Sequence, residues 1–441
     1  MFSISIVVPS WHYFADPFKL QPLLELYFAT VIDSRFGGRE VKVNVVDLRQ
    51  RRKGQNEFQL GKINSYIPEQ DMYFYWISKT ADYPELVSVV KEIRRVFPKA
   101  KHVAGGTHID NFPEECERHF DAIILGPGEE SLISIIKDSL KGSLKKVYKS
   151  DWNLVNYNDY PFARRHYLPK TDIVNMLLFE KYGDIPATTA LFSRGCNFKC
   201  AYCVYNVPSK IQVRSPEAIE EEIKYLKNEY EIEGLNLKDE MCIPPPENIT
   251  IPFLKAIARA GVIWRGQTRV GPSREILALA RQTGCVELAI GVESASQQVL
   301  NIIRKGQTIQ QVRDFIYSAK SVGIRIKMCL ILGLPGEPRN IVDMTRKFIE
   351  ETQPDYASIS GFCPVPGSEI FKNREYYGIK YIDEDWNKHA HLLFRFSDQE
   401  DFGLPFEYEK TNRWGKTFSR PEIINNIREL QHYLKEHNMS Y

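Results

Sequence analysis

Apolar positions along the first 145 residues follow two alternating rhythms. Short compact runs, Ile4–Pro9, Val41–Val46, Met72–Ile77, His102–Gly105 and Ala122–Leu125, read as buried strands. The segments between them repeat every three to four residues, with Leu20, Leu23, Leu24, Tyr27, Phe28 and Val31 in the first and Leu86, Val89, Val90, Ile93 and Val96 in another. Leu132, Ile135, Ile136 and Leu140 continue the helical period, and Gly37-Gly38 stops the first helix. Such alternation predicts an α/β fold that opens with a Rossmann-like doubly wound parallel sheet over residues 1–145. Sheets of this kind bind ligands at the carboxyl ends of their strands.

Residues 146–185 are rich in aromatics, Asn, Asp and Pro without a sustained period, and predict a linker. A second alternation follows over 186–370, with strands at Ala187–Phe192, Gly234–Lys238, Val262–Gln267, Val286–Gly291, Ile324–Leu332 and Tyr356–Ser360. Six βα units predict a TIM-type barrel, full or partial, with its chemistry at the strand C-terminal ends. Residues 371–441 predict a small helical tail whose last helix lies near Pro421–Glu436.

Composition narrows the function classes. The chain has 441 residues, 43% of them hydrophobic, enough for two or three packed cores. Its 58 Lys and Arg against 56 Asp and Glu give a net charge of +2, so no nucleic-acid or membrane partner is expected. The basic run Arg49-Gln50-Arg51-Arg52-Lys53 reads as a solvated loop. The first nine residues read as a strand and not a signal peptide, no apolar run is long enough to cross a bilayer, and a cytoplasmic location is expected. Eight cysteines are too sparse for a disulfide framework, which makes clustered cysteines candidate metal ligands.

One such cluster exists. Cys196, Cys200 and Cys203 follow the first strand of the second region within Leu191-Phe192-Ser193-Arg194-Gly195-Cys196-Asn197-Phe198-Lys199-Cys200-Ala201-Tyr202-Cys203. Thiolates suit zinc or an iron–sulfur cluster, and a closed site of either kind takes four protein ligands. Only three cluster here. A cubane held by three thiolates leaves one iron open to a substrate; zinc with a remote fourth ligand is the alternative, in a zinc-stabilised binding protein without catalysis.

The pattern C-x-x-x-C-x-x-C after the first strand of a βα barrel resembles the radical S-adenosylmethionine (SAM) superfamily, over most of residues 186–370. The resemblance implies a 4Fe–4S cluster on Cys196, Cys200 and Cys203, with SAM chelated to the open iron and cleaved to a 5′-deoxyadenosyl radical. It implies Tyr202 beside adenine, Asp239 and Glu240 near the SAM ammonium, and Gln267 and Arg269 at the end of the third strand, where the guanidinium pairs with the SAM carboxylate. Glu293 and Ser294 match the ribose-binding motif, and Leu332 at the end of the fifth strand is counted with them. Each has a plain alternative: a core tyrosine, an acidic helix cap, a surface salt bridge, a tight turn. Arg304-Lys305-Gly306-Gln307-Thr308, Gly333-Leu334-Pro335-Gly336-Glu337 and Cys363-Pro364-Val365-Pro366-Gly367-Ser368 match the branch that carries an N-terminal cobalamin-binding-type domain.

The first domain resembles that cobalamin-binding type through Gly105-Gly106-Thr107-His108 and Asp121–Ser131, which includes Gly126. The resemblance implies Gly105, Gly106, His108 and Gly126 as cofactor contacts, with glycines letting a corrin ring approach. The motif D-x-H-x-x-G, whose histidine ligates cobalt elsewhere, is missing, although members of the branch bind cobalamin without it. His12 lies at another predicted strand end. The leading expectation is cobalamin-dependent methylation of an unactivated centre in a small molecule, with an electron donor such as flavodoxin or ferredoxin. The alternative is a cobalamin-independent radical oxidation, cyclisation or rearrangement. A tRNA methylthiotransferase is disfavoured, because the first domain holds only Cys116 and no basic appendage follows the barrel. Auxiliary clusters are disfavoured too, since Cys242, Cys285, Cys329 and Cys363 stand alone in sequence.

Overall fold

The computed structural model describes residues 1–14, 16–52, 66–204, 208–389 and 403–440. They form two compact units, one of residues up to Asn175 and one of Met176–Val204 with the residues from Ser209 on.

The first unit is a parallel sheet of β1 (Phe2–Val8), β2 (Val41–Asp47), β3 (Met72–Trp76), β4 (Lys101–Gly105), β5 (Ala122–Leu125) and β6 (Val147–Lys149), in the order β2-β1-β3-β4-β5-β6. The order reverses between β1 and β3, the switch point of a doubly wound sheet. All five residues of β3 are buried, as a strand covered on both faces requires. The helix Leu23–Phe36 ends where Gly37 turns left-handed at φ 58°. β6 lies in the stretch expected to be a linker. Its three residues carry no readable period, and only pairing with β5 (Ile123↔Val147) makes them a strand. Arg49 departs from the solvated loop expected of it. Its side chain is fully buried, ion-paired to Asp47 at 2.6 Å and bonded to the Leu20 carbonyl at 2.6 Å. Lys53, at the end of that run, lies outside the described residues.

The second unit is built on β7 (Ala187–Ala190), β8 (Ser193–Arg194), β9 (Gln212–Val213), β10 (Gly234–Leu237), β11 (Ile263–Thr268), β12 (Cys285–Glu293), β13 (Arg325–Leu332) and β14 (Tyr356–Gly361). Six of these form one parallel sheet in the order β14-β13-β12-β11-β10-β7, a barrel left open between β7 and β14. One face carries Leu235, Trp264, Leu288, Ile290, Met328 and Ile359, all buried. The opposite face carries Asn236, Arg265, Gln267, Glu287, Lys327 and Ser358 in neighbouring register. The period of two thus separates an apolar face from a polar one.

Leu178, Phe179 and Ala187 pack with Tyr182, Ile185, Ile263 and Val286 at the amino ends of these strands. There the Tyr182 hydroxyl donates to Glu287 at 3.0 Å, and the Arg265 guanidinium lies 5.2 Å from the Phe179 ring. Residues 176–185, expected as linker, therefore pack under the second sheet. The tail belongs to this unit as well. The helix Arg420–Glu436 buries Ile423, Ile427, Leu430 and Leu434, one stripe at helical spacing, and Ser440 bridges Ala357 on the open edge of β14.

Candidate active site

The cysteine loop is set by the carboxyl end of β10. β7 stops at Ala190, short of the expected Phe192, because Asp239 takes the next backbone groups. Its carboxylate accepts from the Ser193 amide and hydroxyl, each at 2.5 Å, and from the Phe192 amide at 3.4 Å. Glu240 accepts from the Gly195 amide at 3.1 Å, immediately before Cys196. The expected acidic pair is therefore engaged with the backbone that launches the loop. Burial pushes both carboxyls up to about 7, and for Glu240 the charge of Asp239 adds to it. The β8–β9 pairing closes the loop, and bonds from the Ala201 amide to the Ile303 carbonyl (2.8 Å) and from the Ile370 amide to the Ala201 carbonyl (3.0 Å) pin its centre.

Cys196, Cys200 and Cys203 are all partly exposed within this loop. Burial pushes the Cys203 thiol up to about 12, helped by the charges of Cys200 and Cys196, while the Lys305 ammonium acts the other way. Among the described residues no three His, Cys, Asp or Glu side chains stand at metal-ligand spacing. Arg269 and Lys305 set cations beside them, which would compensate the negative charge of a thiolate-bound cluster. Arg269 supplies one cation: a guanidinium nitrogen lies 3.3 Å from Cys200 Sγ, another donates to the Lys305 carbonyl, and the group sits 3.7 Å from the Phe198 ring. Its Nε is buried without a partner among the described residues.

The strand-end residues of β12 hold a second constellation. Glu293 adopts a left-handed φ of 67° and its carboxylate meets the buried Lys305 ammonium at 2.7 Å. The same ammonium lies 3.3 Å from the Tyr202 hydroxyl. Burial first, and then the negative charges of Glu293, Cys200 and Cys203, raise the Tyr202 phenol. In the sequence Lys305 and Gln307 stand only within a motif, which gives neither a role of its own. Gln307 donates to the Gly291 carbonyl at 3.2 Å, and its own side-chain oxygen is buried without a partner among the described residues. A basic residue twelve positions after the ribose-type glutamate was the available signal, but pairing across a loop has no period in sequence. Ser294 is buried and its hydroxyl accepts from the Ser296 amide at 3.2 Å, the Gln267 side chain is exposed at the end of β11, and Leu332 is a buried apolar residue.

In the first unit the expected cofactor contacts Gly105, Gly106, Gly126 and His108 are closely approached by the unit's own residues. A Cβ on Gly105 would lie 2.7 Å from the Trp76 ring, one on Gly106 2.8 Å from the Ile77 carbonyl, and one on Gly126 2.3 Å from the Ser150 carbonyl oxygen. His108, expected at an open strand end, is fully buried, with its ring 4.1 Å from that of Tyr83 and 5.1 Å from that of Phe112. His12 faces Glu85 at 3.5 Å. Beside the switch point, Trp11, Tyr13 and Phe14 are buried, the Tyr13 hydroxyl donates to Asp82 at 2.6 Å, and the Lys79 ammonium lies 4.6 Å from the Trp11 ring.

A three-cysteine loop thus stands at the carboxyl end of an open parallel barrel, beside the buried cations Arg269 and Lys305. Residues 191–349 match the family model described as Radical SAM superfamily, and the chain carries a radical SAM domain. A Pyrococcus horikoshii protein named as an uncharacterized methyltransferase is 29% identical over 300 residues, 65% of each chain. The anaerobic magnesium-protoporphyrin IX monomethyl ester cyclase of Rubrivivax gelatinosus is 26% identical over 311 residues, 65% of this chain and 55% of that protein. Both alignments thus span less than two thirds of the relative. The fold is shared with the radical SAM methyltransferase TsrM of Kitasatospora setae, solved with cobalamin and a 4Fe–4S cluster, at a TM-score of 0.66 and 15% identity over 98% of this chain and 89% of that one.

Proposed function

We propose that this chain is a radical SAM enzyme that methylates an unactivated centre in a small molecule, with cobalamin as a further cofactor. The observation that carries the radical SAM part is the loop of Cys196, Cys200 and Cys203 held by Asp239 and Glu240 and faced by Arg269 and Lys305. Three thiolates there hold a 4Fe–4S cluster, which supplies an open iron for SAM and the electron that cleaves it. Around it, Arg269 offers a guanidinium to the SAM carboxylate, and Tyr202, Glu293 and Ser294 line the nucleoside side. The polar inner face of the sheet, with Asn236, Gln267, Lys327 and Ser358, suits a small polar substrate. The methyl-transfer part rests on the fold shared with TsrM and on the methyltransferase-named relative.

Among the described residues no helix is long and apolar enough to cross a membrane. We place the enzyme in the cytoplasm, with a one-electron donor such as flavodoxin or ferredoxin. A second reading, radical cyclisation or oxidation without cobalamin, is favoured by the cyclase-named relative.

Anaerobic reconstitution with iron and sulfide tests the first part. The wild type is expected to show a 4Fe–4S electron paramagnetic resonance signal that SAM perturbs, and to release 5′-deoxyadenosine. Replacing any one of Cys196, Cys200 or Cys203 by Ala is expected to abolish that release. A colourless protein with one zinc, or cleavage that survives these replacements, overturns it. Cobalt content after expression with cobalamin decides between the two readings: near one per chain supports methyl transfer, none supports the second.

A further inference from the structure

Among the described residues, Lys305 is the ammonium that meets both the nucleoside side and the cysteine side of this site. Its Nζ lies 2.7 Å from Glu293 Oε1 and 3.3 Å from the Tyr202 hydroxyl, and Tyr202 directly precedes Cys203. Its side chain is 4% exposed and that of Glu293 10%, so each charge has lost nearly all its water and depends on the other.

Several independent features hold the ammonium there. The Lys305 amide donates to the Leu300 carbonyl at 2.9 Å, and the Lys305 carbonyl accepts from Arg269, whose other nitrogen touches Cys200. The flanking residues are both left-handed, Arg304 at φ 52° and Gly306 at φ 67°, and Arg304 is ion-paired to Glu369. A left-handed non-glycine costs of the order of 1 kcal/mol and persists only where its surroundings hold it. Glu293 is a second such residue, at φ 67°. Between them, Gly291 leaves the space that the pair occupies, since a Cβ there would lie 2.4 Å from Glu293 Oε1 and 2.9 Å from Lys305 Nζ. Glycine in Gly291-Val292-Glu293 is thus accounted for by the ion pair rather than by a turn.

We propose that Lys305 is a positioning residue that couples the SAM-binding carboxylate Glu293 to the cluster-binding loop through Tyr202. One ammonium orients the carboxylate toward the ribose hydroxyls and places a positive charge beside the last cysteine. Two properties that are usually tuned separately, SAM affinity and cluster potential, then depend on one side chain. This inference rests on the radical SAM reading above.

The test uses the full-length, anaerobically reconstituted protein and its Lys305→Met, Lys305→Arg and Lys305→Met/Glu293→Gln variants. Iron content, cluster midpoint potential and SAM dissociation constant are measured on each, independently of turnover. Lys305→Met is expected to keep its cluster, to bind SAM about ten-fold more weakly, and to show a lower potential, because a cation that favours the reduced cluster has been removed. The double variant is expected to bind SAM no more weakly than Lys305→Met, since the two residues act as a pair. Lys305→Arg is expected to recover most of the potential. If methionine there unfolds the protein, Lys305→Gln carries the same two readings. SAM affinity and potential both unchanged in Lys305→Met, in a protein whose wild type responds to SAM, overturns this inference alone. A wild type whose cluster does not respond to SAM overturns the radical SAM reading and this inference with it.

Discussion

At the scale of single residues, the site is organised by buried charges. Asp239 and Glu240 act on backbone amides, Lys305 on Glu293 and Tyr202, and Glu337 on the turn after β13. Glu337 accepts from the Gly333 amide at 2.9 Å and the Leu334 amide at 3.1 Å, and burial pushes its carboxyl up from 4.5 to about 8. A carboxyl whose folded value is raised stabilises the fold fully below its unfolded value, and that contribution is lost as pH rises through the folded one. Glu337→Gln keeps a carbonyl acceptor without the ionisation. Thermal melts are therefore expected to show the wild type losing stability relative to Glu337→Gln between about pH 4.5 and pH 8, by up to roughly 5 kcal/mol. Parallel pH profiles for the two proteins would show that Glu337 is not buried as described. The cysteine spacing was legible without a structure because all three ligands lie within one loop. The Lys305–Glu293 pair was not, because its partners are joined only by the way two loops meet.

At the scale of elements, strand and helix signals located the framework well wherever the apolar period ran for several residues. β1 to β5 and the six barrel strands lie within one or two residues of the runs that predict them, apart from the ends of β7 and β12. β7 stops early because Asp239 captures Phe192 and Ser193. β12 runs on to Glu293 through a register shift between Gly291 and Glu293. β6 had no period to read. The C-terminal helix, read simply as part of a tail, covers β14 through Ile423, Ile427, Leu430 and Leu434. Leu430 is fully buried, so Leu430→Ala is expected to cost about 2–4 kcal/mol, seen as a lower urea midpoint of the second unit. A cost under about 0.5 kcal/mol would mean that the helix is not packed there.

At the scale of the whole molecule, the second sheet is an open barrel and so has edges that must be covered. β14 is shielded by the helix Arg420–Glu436 and by residues 439–440, where the Ala357 amide donates to the Met439 carbonyl at 2.9 Å. A chain ending before Ser419 is expected to aggregate, because an uncovered parallel edge offers unpaired amides to another copy. Size-exclusion chromatography of the shortened chain checks this, and a well-behaved monomer would contradict it. The first unit shows how the two levels part. Its glycines resemble a cofactor-binding pattern, yet Trp76, Ile77 and Ser150 approach them from within the same unit.

The sequence by itself determined the two parallel sheets and the three-thiol loop, because a hydrophobic period and a ligand spacing are local properties that survive without coordinates. It also marked Glu293 and Arg269 as candidates at the ends of their strands. Tertiary structure alone decided what those residues touch. Asp239 and Glu240 hold the loop backbone, Arg269 reaches Cys200, and Glu293 is tied to Lys305 in the space left by Gly291. Burial is what turns these from surface charges into fixed partners, and burial is settled only when distant segments pack together.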